Sequence, residues 1–211
     1  MLPSPLNAIL EEYTEDDYSF YLARAELSDR VLTLTVDLQV EDPYGKGSIR
    51  QQWIIEAGGY RKSRIVPGYS SWLELVTEHP LLWEFTEEHG SLYFNGWVQD
   101  PARLFYDLYT AHRNLFGPHE PFNPFIDLHT PGMLSFSYSN GLLAQGPRSL
   151  LTAYAACLEE RGVAHSLAGQ WNPDQGHRNG REAEKKDPQL LLLEGSYVIA
   201  ECFSFRLAEP G

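Results

Sequence analysis

In Val31-Leu32-Thr33-Leu34-Thr35-Val36-Asp37-Leu38-Gln39-Val40, aliphatic and polar residues alternate from Leu32 onward. A period of two places Leu32, Leu34, Val36, Leu38 and Val40 on one face of a β-strand and Thr33, Thr35, Asp37 and Gln39 on the other. This is a strand with one buried face, and the chain around it reads in the same way. Tyr18 to Leu27 is a strand joined to it through Ser28-Asp29-Arg30. On the other side, Asp42-Pro43-Tyr44-Gly45-Lys46-Gly47 has the composition of a turn. Strands around Ile49 to Glu56 and Tyr60 to Val66, hinged at Gly58-Gly59, complete an antiparallel meander. Before the meander, Leu6, Ile9, Leu10 and Tyr13 recur at helical spacing.

Beyond the meander the pattern changes. Trp72 to Val76 and Ser91 to Phe94 read as short strands, with a helical turn at His79 to Trp83 between them. Asp100 is a good N-cap, Pro101 suits the first helical position, and Gly117-Pro118 ends the run. Within that helix Leu104, Leu108, Ala111 and Leu115 form an apolar stripe, with Phe105, Tyr109 and His112 beside it. A second helix runs from about Pro147 to Glu160, with Leu150, Leu151, Tyr154, Cys157 and Leu158 on its apolar face. The segment between the helices holds an aromatic, proline-rich loop (Pro118 to Pro131) and a strand at Met133 to Tyr138. Strands at Val163 to Leu167, Leu190 to Leu193 and Tyr197 to Leu207 close the chain. The expected fold is therefore α+β: a largely antiparallel sheet, built from the N-terminal meander and C-terminal strands, with two main amphipathic helices packed against it. A single domain over 1–211 is expected, with a flexible polar loop at about 169–188.

Charge narrows the partners. With 16 basic and 29 acidic residues, the formal net charge is −13. A field of that sign repels phosphate backbones and anionic membranes, so neither nucleic acid nor a membrane surface is an expected partner. A basic protein is. No positively charged, apolar leader opens the chain, and Leu190 to Leu193 is far too short to span a bilayer; the cytoplasm is the expected compartment. Cys157 and Cys202 sit among apolar neighbours and read as buried free thiols.

No complete catalytic, metal or cofactor signature is present, and none of these groups is expected. The seven histidines fit no zinc spacing. Gly141 and Gly146 lack the Lys-Ser/Thr of a phosphate loop, and there is no nucleophile elbow. The start of the second helix, with Arg148 and Ser149, offers free amides to a small anion, as many helix starts do. His112, near Asp107, is the candidate general base, against the commoner role of a space-filling, hydrogen-bonded core histidine. The candidate binding residues are Trp97, His119, Glu120, Phe122, Phe125, Asp127 and His129, of which His119, Glu120, Asp127 and His129 form the tightest histidine-containing grouping. Rings at Phe122 and Phe125 either anchor a protein-binding patch or belong to a loop folded back over the sheet.

These features favour a non-catalytic, acidic protein-binding domain; an immunity-type protein that neutralises a basic toxin or effector is one concrete form. The alternative is a hydrolase-like enzyme or small-ligand binder using the histidine, aspartate and aromatic residues of the middle third. Strand Tyr197 to Leu207, if at a sheet edge, would pair with a second copy in a homodimer.

Overall fold

In the computed structural model the alternating stretch becomes the middle strand of a five-stranded sheet. The structure describes residues 2–41, 47–126, 140–171 and 187–208. In chain order the first elements are α1 (Ser4–Glu12), β1 (Tyr18–Ser28), β2 (Val31–Glu41), β3 (Ser48–Gly58), β4 (Lys62–Arg64), β5 (Tyr69–Ser70) and β6 (Leu73–Val76). A turn of 3-10 helix (Pro80–Leu82) leads to α2 (Trp83–Thr86), β7 (His89–Asn95), α3 (Pro101–Phe116), β8 (Asn140–Pro147) and α4 (Arg148–Glu160). β9 (Ala164–Trp171), β10 (Gln189–Leu193), β11 (Ser196–Ala200) and β12 (Cys202–Leu207) follow. Every pairing between these strands is antiparallel, so the fold is α+β with antiparallel sheets.

Two compact units emerge: Met1–Leu82 together with Lys185–Gly211, and Trp83–Glu184. The first unit contains a five-stranded sheet, β12-β3-β2-β1-β5, and a four-stranded sheet, β4-β11-β10-β6. The apolar side of β2 forms the centre of its core. Leu34, Val36, Leu38 and Val40 cluster there with Phe20 and Leu22 of β1, Trp53 and Ile55 of β3, and Leu191, Leu193, Val198 and Ala200 of the second sheet. Leu6 and Ile9 of α1 join the same cluster. Burying each large aliphatic or Phe side chain contributes about 1.5–3 kcal/mol. The β1–β2 hairpin closes through Asp29 (φ 47°) and Arg30 (φ 66°), both left-handed, as a two-residue turn matched to strand twist requires.

Tyr197 to Leu207 is not the single strand its alternation suggests. Its first part, β11, pairs within the four-stranded sheet, and its second part, β12, pairs with β3 at the edge of the five-stranded sheet. The chain changes sheet at Glu201. β3 makes the matching change: Gly59, with φ 66°, turns the chain toward β4. Three bonds fix this corner. The Glu201 amide donates to the Gly58 carbonyl at 3.0 Å, the Arg61 amide to the Ile199 carbonyl at 2.9 Å, and Arg61 Nη2 pairs with Glu201 Oε1 at 2.7 Å. A bend confined to one residue leaves the alternation of the sequence on either side in step, so periodicity alone cannot reveal it. Cys202, just past the bend, is exposed rather than buried, whereas Cys157 is buried as expected.

The second unit is a three-stranded sheet, β8-β7-β9, with α4 packed across it and α3 packed on α4. α3 begins as its sequence requires: Asp100 Oδ1 accepts the Arg103 amide at 3.0 Å, and Gly117 (φ 56°) ends the helix. Its buried row is Leu104, Leu108, His112 and Phe116, one position round from the expected stripe, with Ala111 and Leu115 only half-buried. β8 has no counterpart among the expected strands. Gly141, Ala144 and Gly146 are poor strand formers, and Leu143 is an extra residue where Leu92 pairs with Ala144 but Tyr93 with Leu142. The bulge destroys the alternation. β9 continues through Gly169 to Trp171, into the segment expected to be loop. The expected strand at Met133 to Tyr138, the turn residues 42–46 and residues 172–186 of the polar loop lie outside the described residues.

Candidate functional site

In the second unit the aromatic loop turns inward. After Gly117 the chain folds back along α3, and the His119 amide donates to the Phe116 carbonyl at 3.2 Å. His119 and Glu120 are both buried. Phe122 is buried too, its ring edge-to-face with Phe105 at 5.3 Å, Tyr109 at 5.7 Å and His112 at 5.4 Å. Phe125 is half-buried and stacked on Phe116 at 5.8 Å with the planes 4° apart. Gly146 makes room for that ring, because a Cβ there would lie 3.0 Å from Phe125 Cδ1. The Gln145 amide donates to the Phe125 carbonyl at 3.0 Å, and Ile126 bridges to Ala144. The loop thus caps α3 and β8 with its own rings. Asp127 and His129 lie outside the described residues.

His112 sits at the centre of this cluster, fully buried. Nε2 donates to the Glu120 carbonyl at 3.0 Å, and a carbonyl can only accept, so Nε2 carries the proton. Nδ1 is then an acceptor and receives the Tyr154 hydroxyl at 2.9 Å. Both ring nitrogens are occupied from within. Burial holds the imidazole below the ordinary histidine range and pushes the Tyr154 phenol above its own. This neutral, saturated histidine has no lone pair facing a substrate. Asp107 is committed as well: Arg161 Nε and Nη2 fork onto Oδ2 at 2.7 and 2.5 Å, and Arg103 Nε lies 3.3 Å from Oδ1. It ties α3 to the end of α4. Burial likewise raises the Cys157 thiol, away from the thiolate that reacts.

The anion suggested for the start of α4 is supplied by the chain itself. Glu87 accepts the Ser149 amide at 2.8 Å and the Ser149 hydroxyl at 2.6 Å. A cleft of about 330 Å³ lies nearby, lined by Glu88, His89, Arg148, Leu151 and Leu167 among others. Another of about 510 Å³ runs between Pro121–Ile126 and Leu142–Gln145. Among the described ring residues of the predicted grouping, Trp97 alone faces water, 71 % exposed between β7 and α3. Tyr106 and Tyr109, one turn apart on the outer side of α3, are 58 % and 44 % exposed.

The first unit carries a further concavity, of about 400 Å³, on the outer face of the five-stranded sheet. Strand register lines up Tyr69, Tyr21, Asp37 and Gln52 in one row across β5, β1, β2 and β3. A second row sets Ser19 beside Gln39 and Arg50. Alternation in β2 assigned Asp37 and Gln39 to the polar face, but the register that brings two tyrosines beside them depends on a two-residue strand no pattern marks. Among the described residues no three His, Cys, Asp or Glu converge on a metal position, and no helix is long and apolar enough to cross a membrane. In comparisons with known proteins, no family model, curated protein or solved structure matches the chain.

Proposed function

We propose that this chain is a non-catalytic binding protein whose acidic surface engages a basic protein, with neutralisation of a basic toxin or effector, in the manner of an immunity protein, as its concrete form. Trp97 carries the reading. A 71 % exposed indole lies on the same stretch of chain as exposed Tyr106 and Tyr109, in a protein of net charge −13. Tryptophan and tyrosine supply the anchors of protein interfaces, and a like-signed field around them attracts and orients a partner of opposite charge. Of the residues the rival enzymatic reading could use, His112 and Asp107 are occupied by internal partners.

The test is capture of a basic protein by the immobilised full chain, followed by titration of the purified pair. Affinity is expected to fall as salt rises, because screening weakens exposed charge pairs. Trp97→Ala is expected to weaken binding about 30-fold, the loss of roughly 2 kcal/mol of anchoring. A partner held equally well by Trp97→Ala, or insensitive to salt, overturns the proposal.

A further inference from the structure

We infer that the outer face of the five-stranded sheet is a saccharide-binding site, with the Tyr21–Tyr69 pair as its stacking platform and Asp37, Gln39, Arg50 and Gln52 as its hydroxyl-binding groups. The two tyrosine rings lie 4.9 Å apart with planes inclined at 45°, and Tyr69 is 75 % exposed. An exposed ring pair on a sheet face gives a ligand an apolar surface to lie on, and both tyrosines line the concavity. Tyr69 is held there by the pairing of β5 with β1, and the Leu22 amide anchors the approach to β5 by donating to the Gly68 carbonyl at 3.1 Å.

Next to the rings the groups are polar and mixed in kind. Asp37 Oδ1 accepts Gln52 Nε2 at 2.7 Å, which orients the carboxylate and leaves its second oxygen as an acceptor. Gln39 Nε2 donates to Glu41 Oε1 at 3.2 Å, so its carbonyl oxygen remains as an acceptor. Arg50, across from Gln39, is exposed and has no ion-pair partner among the described residues; its fork supplies several donors. Ser19 adds a hydroxyl of either sense. A ligand rich in hydroxyls, each both donor and acceptor, matches such a set.

Charge selects further. The groove lining carries one carboxylate, Asp37, and one guanidinium, Arg50, and so is balanced within a chain of net charge −13. A phosphate-bearing ligand meets the field of the whole chain, and a basic peptide meets Arg50. A neutral polyhydroxylated ligand meets neither penalty. The row from Tyr69 to Gln52 crosses four strands, about 14 Å at ~4.8 Å per strand spacing, and suits a short oligosaccharide rather than a single small metabolite. The volume of about 400 Å³ lies within the range of small-molecule sites, about 300–1,000 Å³.

The experiment applies the full chain to a glycan array spanning neutral hexose, pentose and N-acetylhexosamine linkages, with sulfated glycans and inorganic polyphosphate as charged probes. The strongest neutral trisaccharide is then titrated calorimetrically. A neutral glycan is expected to bind, and Tyr69→Ala and Arg50→Ala are each expected to weaken it at least tenfold without moving the unfolding transition, since both side chains are exposed. Retention of no neutral glycan, preference for the charged probes, or a glycan bound equally well by Tyr69→Ala each overturns the assignment.

Discussion

Replacing His112 by Phe keeps an aromatic ring in the cluster but removes both of its hydrogen bonds. Two buried groups then lose their partner, the Tyr154 hydroxyl at 2.9 Å and the Glu120 carbonyl at 3.0 Å. A buried polar group left unsatisfied costs about 1–3 kcal/mol, so His112→Phe should destabilise by about 2–6 kcal/mol. Tyr154→Phe strands only Nδ1 and should cost about 1–2 kcal/mol. In the double variant the stranded hydroxyl and the stranded nitrogen vanish together, and only the bond from His112 to the Glu120 carbonyl is lost without compensation. The two single costs should therefore exceed the double cost by about 2–5 kcal/mol, the cost of the stranded hydroxyl plus that of the stranded nitrogen and the signature of a coupled pair. Equilibrium urea unfolding of the full chain, followed by far-ultraviolet circular dichroism and tryptophan emission, measures all three. Trp83 lies edge-on to Phe116 at 6.1 Å and reports on this core directly. Additive single costs, within about 0.5 kcal/mol, would refute the hydrogen-bonded, buried assignment of His112.

The same residue sets a pH dependence. Burial lowers the folded-state pKa of His112 below 6.5, so the unfolded chain binds a proton that the folded chain refuses. Stability is then complete above about pH 6.5 and falls as pH drops below it, by at most ~1.4 kcal/mol per pH unit, until the folded pKa is reached. His112→Phe should flatten this slope in urea titrations between pH 5 and pH 7, while His79, lowered in the same direction, leaves a residue of it. An unchanged slope in the variant rules this account out. At the corner of the first unit, a Cβ on Gly59 would sit 2.6 Å from Glu201 Cδ and impose φ 66° on an L-residue. Gly59→Ala should cost about 2 kcal/mol: the left-handed backbone at about 1–2 kcal/mol, plus at most ~1 kcal/mol for the displaced, partly exposed ion pair with Arg61; a neutral substitution contradicts the corner geometry. Ser149→Ala deletes the hydroxyl that donates to Glu87 at 2.6 Å and should lower the stability of the second unit by about 1 kcal/mol, with hydrogen exchange accelerated in the first turn of α4. Exchange unchanged there would show that Glu87 does not hold the helix start.

Much of this architecture is written in local pattern, because local physics decides it. The alternation of Leu32 to Val40 reflects a single buried face, and Asp100-Pro101 with Gly117 marks α3 by backbone chemistry alone. What remained hidden depends on distant partners. Glu201 looks like any polar residue in an alternating strand until Arg61 and Gly59 are seen beside it. β8 is hidden by its bulge at Leu143, and the Tyr21–Tyr69 pair by the brevity of β5. The site residues divide for the same reason. Phe122 and Phe125 have the composition of an exposed loop, but α3 and Gly146 offer their rings a surface no flanking proline discloses. Trp97 had no such partner foretold, and it faces water.

The first unit draws its strands from both ends of the chain, and this governs the order in which a ribosome can deliver it. β6 pairs with β10, Leu73 opposite Leu193, so neighbours in one sheet emerge separated by the whole of the second unit. When β2 is complete, the side chains that will face it from the other sheet, Leu191, Leu193, Val198 and Ala200, have not been translated. The nascent meander must keep its row of leucines and valines out of aggregates through that interval, while Trp83–Glu184 has all its described strands and helices in continuous order and is free to fold first. Only the last stretch of chain, running through β10, β11 and β12, closes the older sheet.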